Sequence, residues 1–177
     1  AISGDRSGTV VVWNCVNGEK IKSLRGHDSA EIKVAIAPDG AYAATGSTRH
    51  NGMLLVWDVE KNQAAKLIGH VKPLIGVKVL DQGRVISVSS TTIATWRAQN
   101  QKNGMTLNYA KKIAGVEGQC VDFSADGRYV LIGTRSGFQL WDILTKKKRI
   151  SGRDVPNMYV EAVALSDNGR WGLISHN

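Results

Sequence analysis

The side chains of this 177-residue chain best equipped for chemistry are four histidines, two cysteines and a set of regularly spaced acids. A protein metal site needs several such donors brought together, and the sequence signs of that are close spacings such as HxxxH or a His/Cys cluster. His27, His50, His70 and His176 show neither, and Cys15 and Cys120 are far apart. No GxSxG elbow, GxxxxGK[ST] phosphate loop or HExxH pair occurs. The acids Asp39, Asp81, Asp126 and Asp167 recur in phase, as do the pairs Gly83–Arg84, Gly127–Arg128 and Gly169–Arg170. An active site is built once, so repetition in phase marks turns, where an Asp side chain bonds the backbone two residues on. The expectation is a protein that is not an enzyme, with no catalytic residues, no cofactor and no metal.

Net charge is +8 with a pI near 9.7, which favours acidic partners or nucleic acid on electrostatic grounds. The competing reading is that scattered Lys and Arg solvate outer strands. The one basic run, Lys146–Arg149, reads as an edge strand kept soluble by lysine. Its alternatives are a weak nucleic-acid contact or an import signal, but it lacks the interleaved aromatics of single-strand binders. Apolar content of 42% and charged content of 21% are ordinary for a globular protein. No run is long enough to span a bilayer as a helix and no start resembles a signal peptide, so no membrane partner is expected. Two reduced thiols are favoured over a lone disulfide, which places the protein in the cytoplasm, with the nucleus as the alternative.

The elements that carry these residues are organised by four tryptophans. Trp13, Trp57, Trp96 and Trp141 each close a short β-branched or apolar run, and they stand 44, 39 and 45 residues apart. A repeat of that length, holding several strands of period two, predicts tandem sheets rather than one folded-over core. The first segment reads as the end of one strand and a turn at Asp5–Gly8, then the strands Thr9–Trp13 and Lys20–Leu24, joined by Asn17–Gly18, a dipeptide that tolerates positive φ at both places. The second unit reads Ile32–Ala37, Tyr42–Gly46, Leu54–Val59 and Ala64–Ile68. The third reads Leu74–Leu80, Val85–Ser89, Thr92–Trp96, a polar loop over Gln99–Gly104, and Thr106–Ile113. The fourth reads Gln119–Ser124, Tyr129–Gly133, Phe138–Ile143 and Lys147–Ile150, and Val160–Ser166 and Trp171–Ser175 open a fifth. The approximate units are 1–26, 27–69, 70–114, 115–158 and 159–177 within one segment.

Gly26–His27, Gly69–His70, Pro38–Asp39–Gly40, Ser124–Ala125–Asp126–Gly127, Trp57–Asp58 and Trp141–Asp142 recur in order along the whole chain. In these motifs the sequence resembles the WD40 repeat. The resemblance implies an all-β fold: β-propeller blades of four antiparallel strands, the Trp strand third from the axis, here three complete blades plus two half blades. It also implies a structural brace of His, Ser or Thr, Asp and Trp in each blade. By that pattern the second unit offers His27, Thr45 and Trp57, with Asn51 near the Asp place. The third offers His70, Ser87 and Trp96, with only Ser90 or Thr91 nearby. Trp13 and Trp141 hold the equivalent place in the first and fourth units, where Ser7 and Ser136 replace Asp. The fourth has also exchanged His for Val116 and the hydroxyl for Ile132.

Propellers of this family usually have about seven blades, and Ile174–Asn177 aligns in phase with Ser3–Arg6, so the second strand is present twice. A segment of a larger propeller is therefore favoured over a self-closed four-bladed ring or a ring of two copies, with open ends that pair with further blades or another copy. The resemblance implies a binding face built from two kinds of loop. One kind holds Arg6, Arg49 and Arg135 in phase, with His50 beside Arg49, and the other holds Ala30, Pro73, Glu117 and Tyr159. Arg and Tyr are the types that most often dominate interfaces. The expected function is a protein–protein interaction scaffold in a larger intracellular protein. The alternative is a basic face that recognises nucleic acid or acidic or phosphorylated peptides through forked Arg contacts.

Overall fold

The computed structural model describes residues 1–5, 7–27, 32–48, 52–68, 70, 72–101, 104–152 and 159–176. These form seventeen strands in five antiparallel sheets. The first sheet holds β1 (Ile2–Gly4), β2 (Thr9–Trp13) and β3 (Lys20–Arg25) in that order. The second holds β4 (Ile32–Ile36), β5 (Tyr42–Ser47), β6 (Met53–Asp58) and β7 (Gln63–Ile68). The third holds β8 (Leu74–Leu80), β9 (Arg84–Ser89), β10 (Thr92–Gln101) and β11 (Gly104–Ala114). The fourth is β12 (Cys120–Phe123), β13 (Tyr129–Thr134), β14 (Gly137–Asp142) and β15 (Lys147–Gly152). The last pairs β16 (Val160–Leu165) with β17 (Gly172–His176). Each sheet is a meander of sequence neighbours, the cheapest connection for antiparallel strands.

The strand end expected before the turn at Asp5–Gly8 is Ile2–Gly4, which pairs with β2 in the register Ile2↔Val12 and gives the first sheet three strands. One expectation from sequence needs correction here. The stretch expected as a polar loop, Gln99–Gly104, is largely strand: β10 runs on to Gln101 and β11 starts at Gly104. Gln99 explains the extension, since its backbone carbonyl accepts from the Thr106 hydroxyl and its side-chain carbonyl accepts from the Asn108 amide at 2.8 Å. Cross-strand polar pairs of this kind replace the apolar alternation that a sequence reading looks for.

The chain divides into two compact units, 1–89 with 94–112, and 90–93 with 113–177. In the first, β5 and β6 are buried on both faces, β5 with small residues from Ala43 to Ser47 and β6 with large apolar ones from Leu54 to Trp57. Ala43, Leu55 and Trp57 pack with Val10, Val12 and Leu24 of the first sheet. Ala44, Leu54 and Val56 pack with Leu74, Val77, Val79 and Trp96 of the third. The middle sheet is thus clamped between its two neighbours, as stacked repeats require.

In the second unit β12 and β13 approach β16 closely. A Cβ on Gly133 would lie 2.4 Å from Cys120 Sγ and 2.6 Å from Val160 Cγ1, so only glycine lets these strands meet. The Asp122 carboxylate accepts from the Leu165 N–H at 2.7 Å and ties the two sheets together. The in-phase acids cap turns: Asp39 accepts from Ala41 N–H, and Asp126 from Arg128 N–H, both at 2.9 Å. Asn168 does the same for Arg170 at 3.0 Å. Lys147–Gly152 is the outermost strand of its sheet and its three basic residues are exposed. Among the described residues, no helix is long and apolar enough to cross a membrane.

Candidate functional site

Two of the expected His–hydroxyl–indole sets come together. In the second sheet Thr45 on β5 is fully buried, His27 Nε2 lies 2.6 Å from its hydroxyl, and the Trp57 indole N–H donates to that same oxygen at 3.2 Å. In the third sheet His70 Nε2 lies 2.7 Å from Ser87 Oγ, and Trp96 Nε1–H donates to it at 2.7 Å. The His70 ring stands edge-on to Trp96 with 6.2 Å between centroids. Burial, with the Lys112 cation adding to it, lowers His70 from the usual 6.5 to about 4. A ring that is neutral near pH 7 accepts the Ser87 hydroxyl proton at Nε2, while the serine oxygen accepts from the indole.

The first and fourth sheets solve the same problem differently. Trp13 is 38% exposed and its indole donates to Ser3 Oγ on β1 at 2.8 Å. Ser7, at the place where Asp was sought, donates its hydroxyl to Asp5 within the turn at 2.6 Å. Trp141 is buried and donates to Gln139 Oε1, two residues back on its own strand, at 3.0 Å. Asn51, the residue near the Asp place of the second unit, lies outside the described residues, as does Gly69.

The acids that follow the indoles were quoted from sequence only as motif letters, and the structure gives them work. Asp142 is fully buried; its carboxylate accepts from Leu144 and Thr145 N–H at 2.9 and 3.1 Å and from the Arg128 guanidinium at 3.1 Å. Burial alone would raise its pKa, but those donors and the cation outweigh it and hold it below the usual 3.8. Arg128 also lies over the Tyr129 ring, 5.0 Å from the centroid. Asp58 accepts from Lys61 N–H at 2.9 Å in the matching turn.

Of the expected binding face, Arg6, Arg49, His50 and Ala30 lie outside the described residues. Arg135, in the turn between β13 and β14, is exposed, and it lines a cavity of about 340 Å³ together with Glu117, Gly118, Gln119 and Ser90. Glu117 also borders a neighbouring polar cavity of about 290 Å³ that includes Thr134, Ser136, Gln139 and Lys148. Glu117 and Arg135 are therefore brought to one place within the second unit. Tyr159 is 61% exposed just before β16. Ser3 and Arg128 were missed as partners in sequence because only strand pairing brings them to the indole or the acid they serve, and Gln139 was missed although its i, i+2 spacing from Trp141 on one strand could have found it. Among the described residues, no group of three or more His, Cys, Asp or Glu is placed to hold a metal.

Comparison with known proteins fits this geometry. Residues 18–58, which run from the hairpin turn of the first sheet to the Trp57–Asp58 end of β6, match the family model "WD domain, G-beta repeat". Over those residues the chain carries a WD40 repeat. It is 24% identical over 151 residues to the nuclear distribution protein nudF of Aspergillus niger, covering 82% of this chain and 33% of that protein. It is 26% identical over 141 residues to eukaryotic translation initiation factor 3 subunit I of Eremothecium gossypii, covering 71% of this chain and 40% of that protein. The WD40 segment described here thus spans well under half the length of either relative. The β-propeller domain of Cps50 (Swd1) from Myceliophteria thermophila superposes on the whole chain with a TM-score of 0.72 at 15% identity, over 62% of that domain. At that identity the likeness concerns the fold: antiparallel four-stranded propeller blades.

Proposed function

We propose that this chain is a non-catalytic scaffold that holds other proteins, as part of a WD-repeat protein that works inside the cell. One observation carries the reading. The histidines and hydroxyls that in an enzyme would face a substrate are buried in indole-closed sets, Thr45 between His27 and Trp57 and Ser87 between His70 and Trp96. Their chemistry is spent on joining strands, which leaves the loops and outer surfaces for binding. The similarity to a protein named as a subunit of a translation initiation factor supports membership of an assembly. On this reading Glu117, Arg135 and Tyr159 form part of the partner-binding face, with Arg and Tyr as the anchoring types.

The test is co-purification of partners with the complete protein, followed by the triple variant Glu117→Lys, Arg135→Glu, Tyr159→Ala. The expected result is a partner complex that the triple variant weakens at least tenfold with no change in thermal midpoint. A complex unaffected by the triple variant removes these residues from the binding face. A purified protein that turns over a substrate with loss on Ser87→Ala overturns the scaffold reading.

A further inference from the structure

The outermost strand of the third sheet is unlike the other outer strands. β11 has eleven residues, whereas β3, β7 and β15 have six each. An outer strand presents a row of N–H and C=O groups to whatever lies beside it, and proteins usually blunt such edges with short strands and with charge, lysine above all. Lys20 and Arg25 are exposed on β3, and Lys147, Lys148 and Arg149 on β15, while the sequence of β7 carries Lys66 in its six residues. β11 instead runs uncharged from Gly104 to Ala110 before it reaches Lys111 and Lys112. Within that run Tyr109 is half exposed, and its ring sits edge-on to the buried Trp96 at 5.0 Å between centroids. An aromatic ring fixed from behind and open in front contacts a partner at little entropic cost.

Charge identifies the kind of strand that fits. From Gln82 to Val116 the sequence holds Arg84, Arg97, Lys102, Lys111 and Lys112 and no Asp or Glu, five positive charges where the whole chain nets +8. A second copy of this chain would bring the same positive hairpin and be repelled, whereas a carboxylate-bearing strand is attracted. We propose that β11 binds an extended acidic segment of a partner protein by adding it as a fifth strand. Backbone hydrogen bonds along Gly104–Ala110 hold the segment, Tyr109 packs against it, and the positive charge at the end of β11, with Lys112 exposed there, attracts its carboxylates. This surface uses none of Glu117, Arg135 and Tyr159, so its failure leaves the loop-face reading to its own test, and the reverse.

The test uses the full chain and two fluorescein-labelled nine-residue peptides, one alternating Val with Glu and the other Val with Lys. Fluorescence anisotropy should show binding of the Glu peptide alone, weakened at least tenfold by Lys111→Glu with Lys112→Glu. Amide hydrogen exchange should slow within Gly104–Lys112 when the peptide is bound. Adjacent residues of an edge strand turn their N–H groups in opposite directions. Of Asn108→Pro and Tyr109→Pro, therefore, one deletes an outward donor and the other a donor to β10. Circular dichroism and indole fluorescence identify the variant that stays folded, and that variant should lose the peptide. Equal binding of both peptides, binding of neither, or protection confined to other strands overturns the proposal. So does a concentration-dependent dimer that the folded proline variant abolishes, which would make a second copy the occupant.

Discussion

Lowering the pH from 7 to 5 should destabilise the first unit through His70. The folded ring takes a proton only near pH 4, the unfolded ring near 6.5. Between those values the unfolded chain binds a proton that the folded chain refuses, so stability is full above about 6.5 and falls with pH down to about 4. At about 1.4 kcal/mol per pH unit, the loss is about 2 kcal/mol between pH 7 and pH 5, with about 1 kcal/mol more by pH 4. The figure is large for a domain stable by roughly 5–15 kcal/mol. Urea unfolding followed by indole fluorescence at the two pH values measures the loss. The same pair of curves for His70→Gln isolates the part due to this ring, because the variant lacks the titrating group. A direct check is the His70 Cε1–H chemical shift against pH, expected to move with a midpoint near 4. A midpoint near 6.5, or a wild-type pH slope no steeper than that of His70→Gln, would refute the buried neutral ring and the hydrogen-bond roles assigned to Ser87 and Trp96.

Ser87→Ala removes the only oxygen assigned to the Trp96 indole N–H and should cost about 1–3 kcal/mol, read from the urea midpoint, with a change in indole fluorescence. Gly133→Ala puts a methyl 2.4 Å from Cys120 Sγ and should cost about 1–3 kcal/mol by overpacking, seen as a lower thermal midpoint of the second unit. Arg128→Met leaves the buried Asp142 carboxylate with backbone donors alone and should lower the urea midpoint near neutral pH, by less than the loss of a fully buried pair because the arginine is partly exposed. Since Asp142 is held below 3.8, its share of stability is present above that value and is lost as pH falls beneath it, and the variant should flatten that part of the acid limb.

The parts of this fold that were readable from sequence are those fixed by local rules. Leu74–Leu80 appears as a strand with the bounds expected of it, because its apolar run ends at Asp81–Gly83, where the chain makes one 3-10 turn. The tryptophan spacing exposes the repeat, and Asp39 and Asp126 reveal turns whose side chains bond two residues ahead, whereas in the last turn that bond comes from Asn168 and not from Asp167. What escaped depends on register between strands. Ser3 reaches Trp13 across a ladder and Arg128 reaches Asp142 across another, and no local pattern marks such pairs. Gln139 is different: it precedes Trp141 by two residues on the same face of one strand, a local spacing that sequence alone could have shown. The β10–β11 extension escaped because Asn, Gln and Lys read as loop residues, although here the Gln99–Asn108 amide pair continues the ladder. The positive charge looks scattered when counted over the chain, and its concentration over 82–116 matters only once β11 is known to be an outer edge.

The central claim is that the first four sheets are each fastened at an indole whose N–H has an assigned oxygen. A nuclear Overhauser spectrum edited on the indole nitrogens tests it in one measurement. The account predicts cross-peaks from the Trp57 indole N–H to the Thr45 methyl, from Trp96 to the Ser87 β protons, from Trp141 to the Gln139 side chain and from Trp13 to Ser3. Indole protons that exchange freely with water at Trp57 and Trp96, or that report neighbours from other strands, would contradict it.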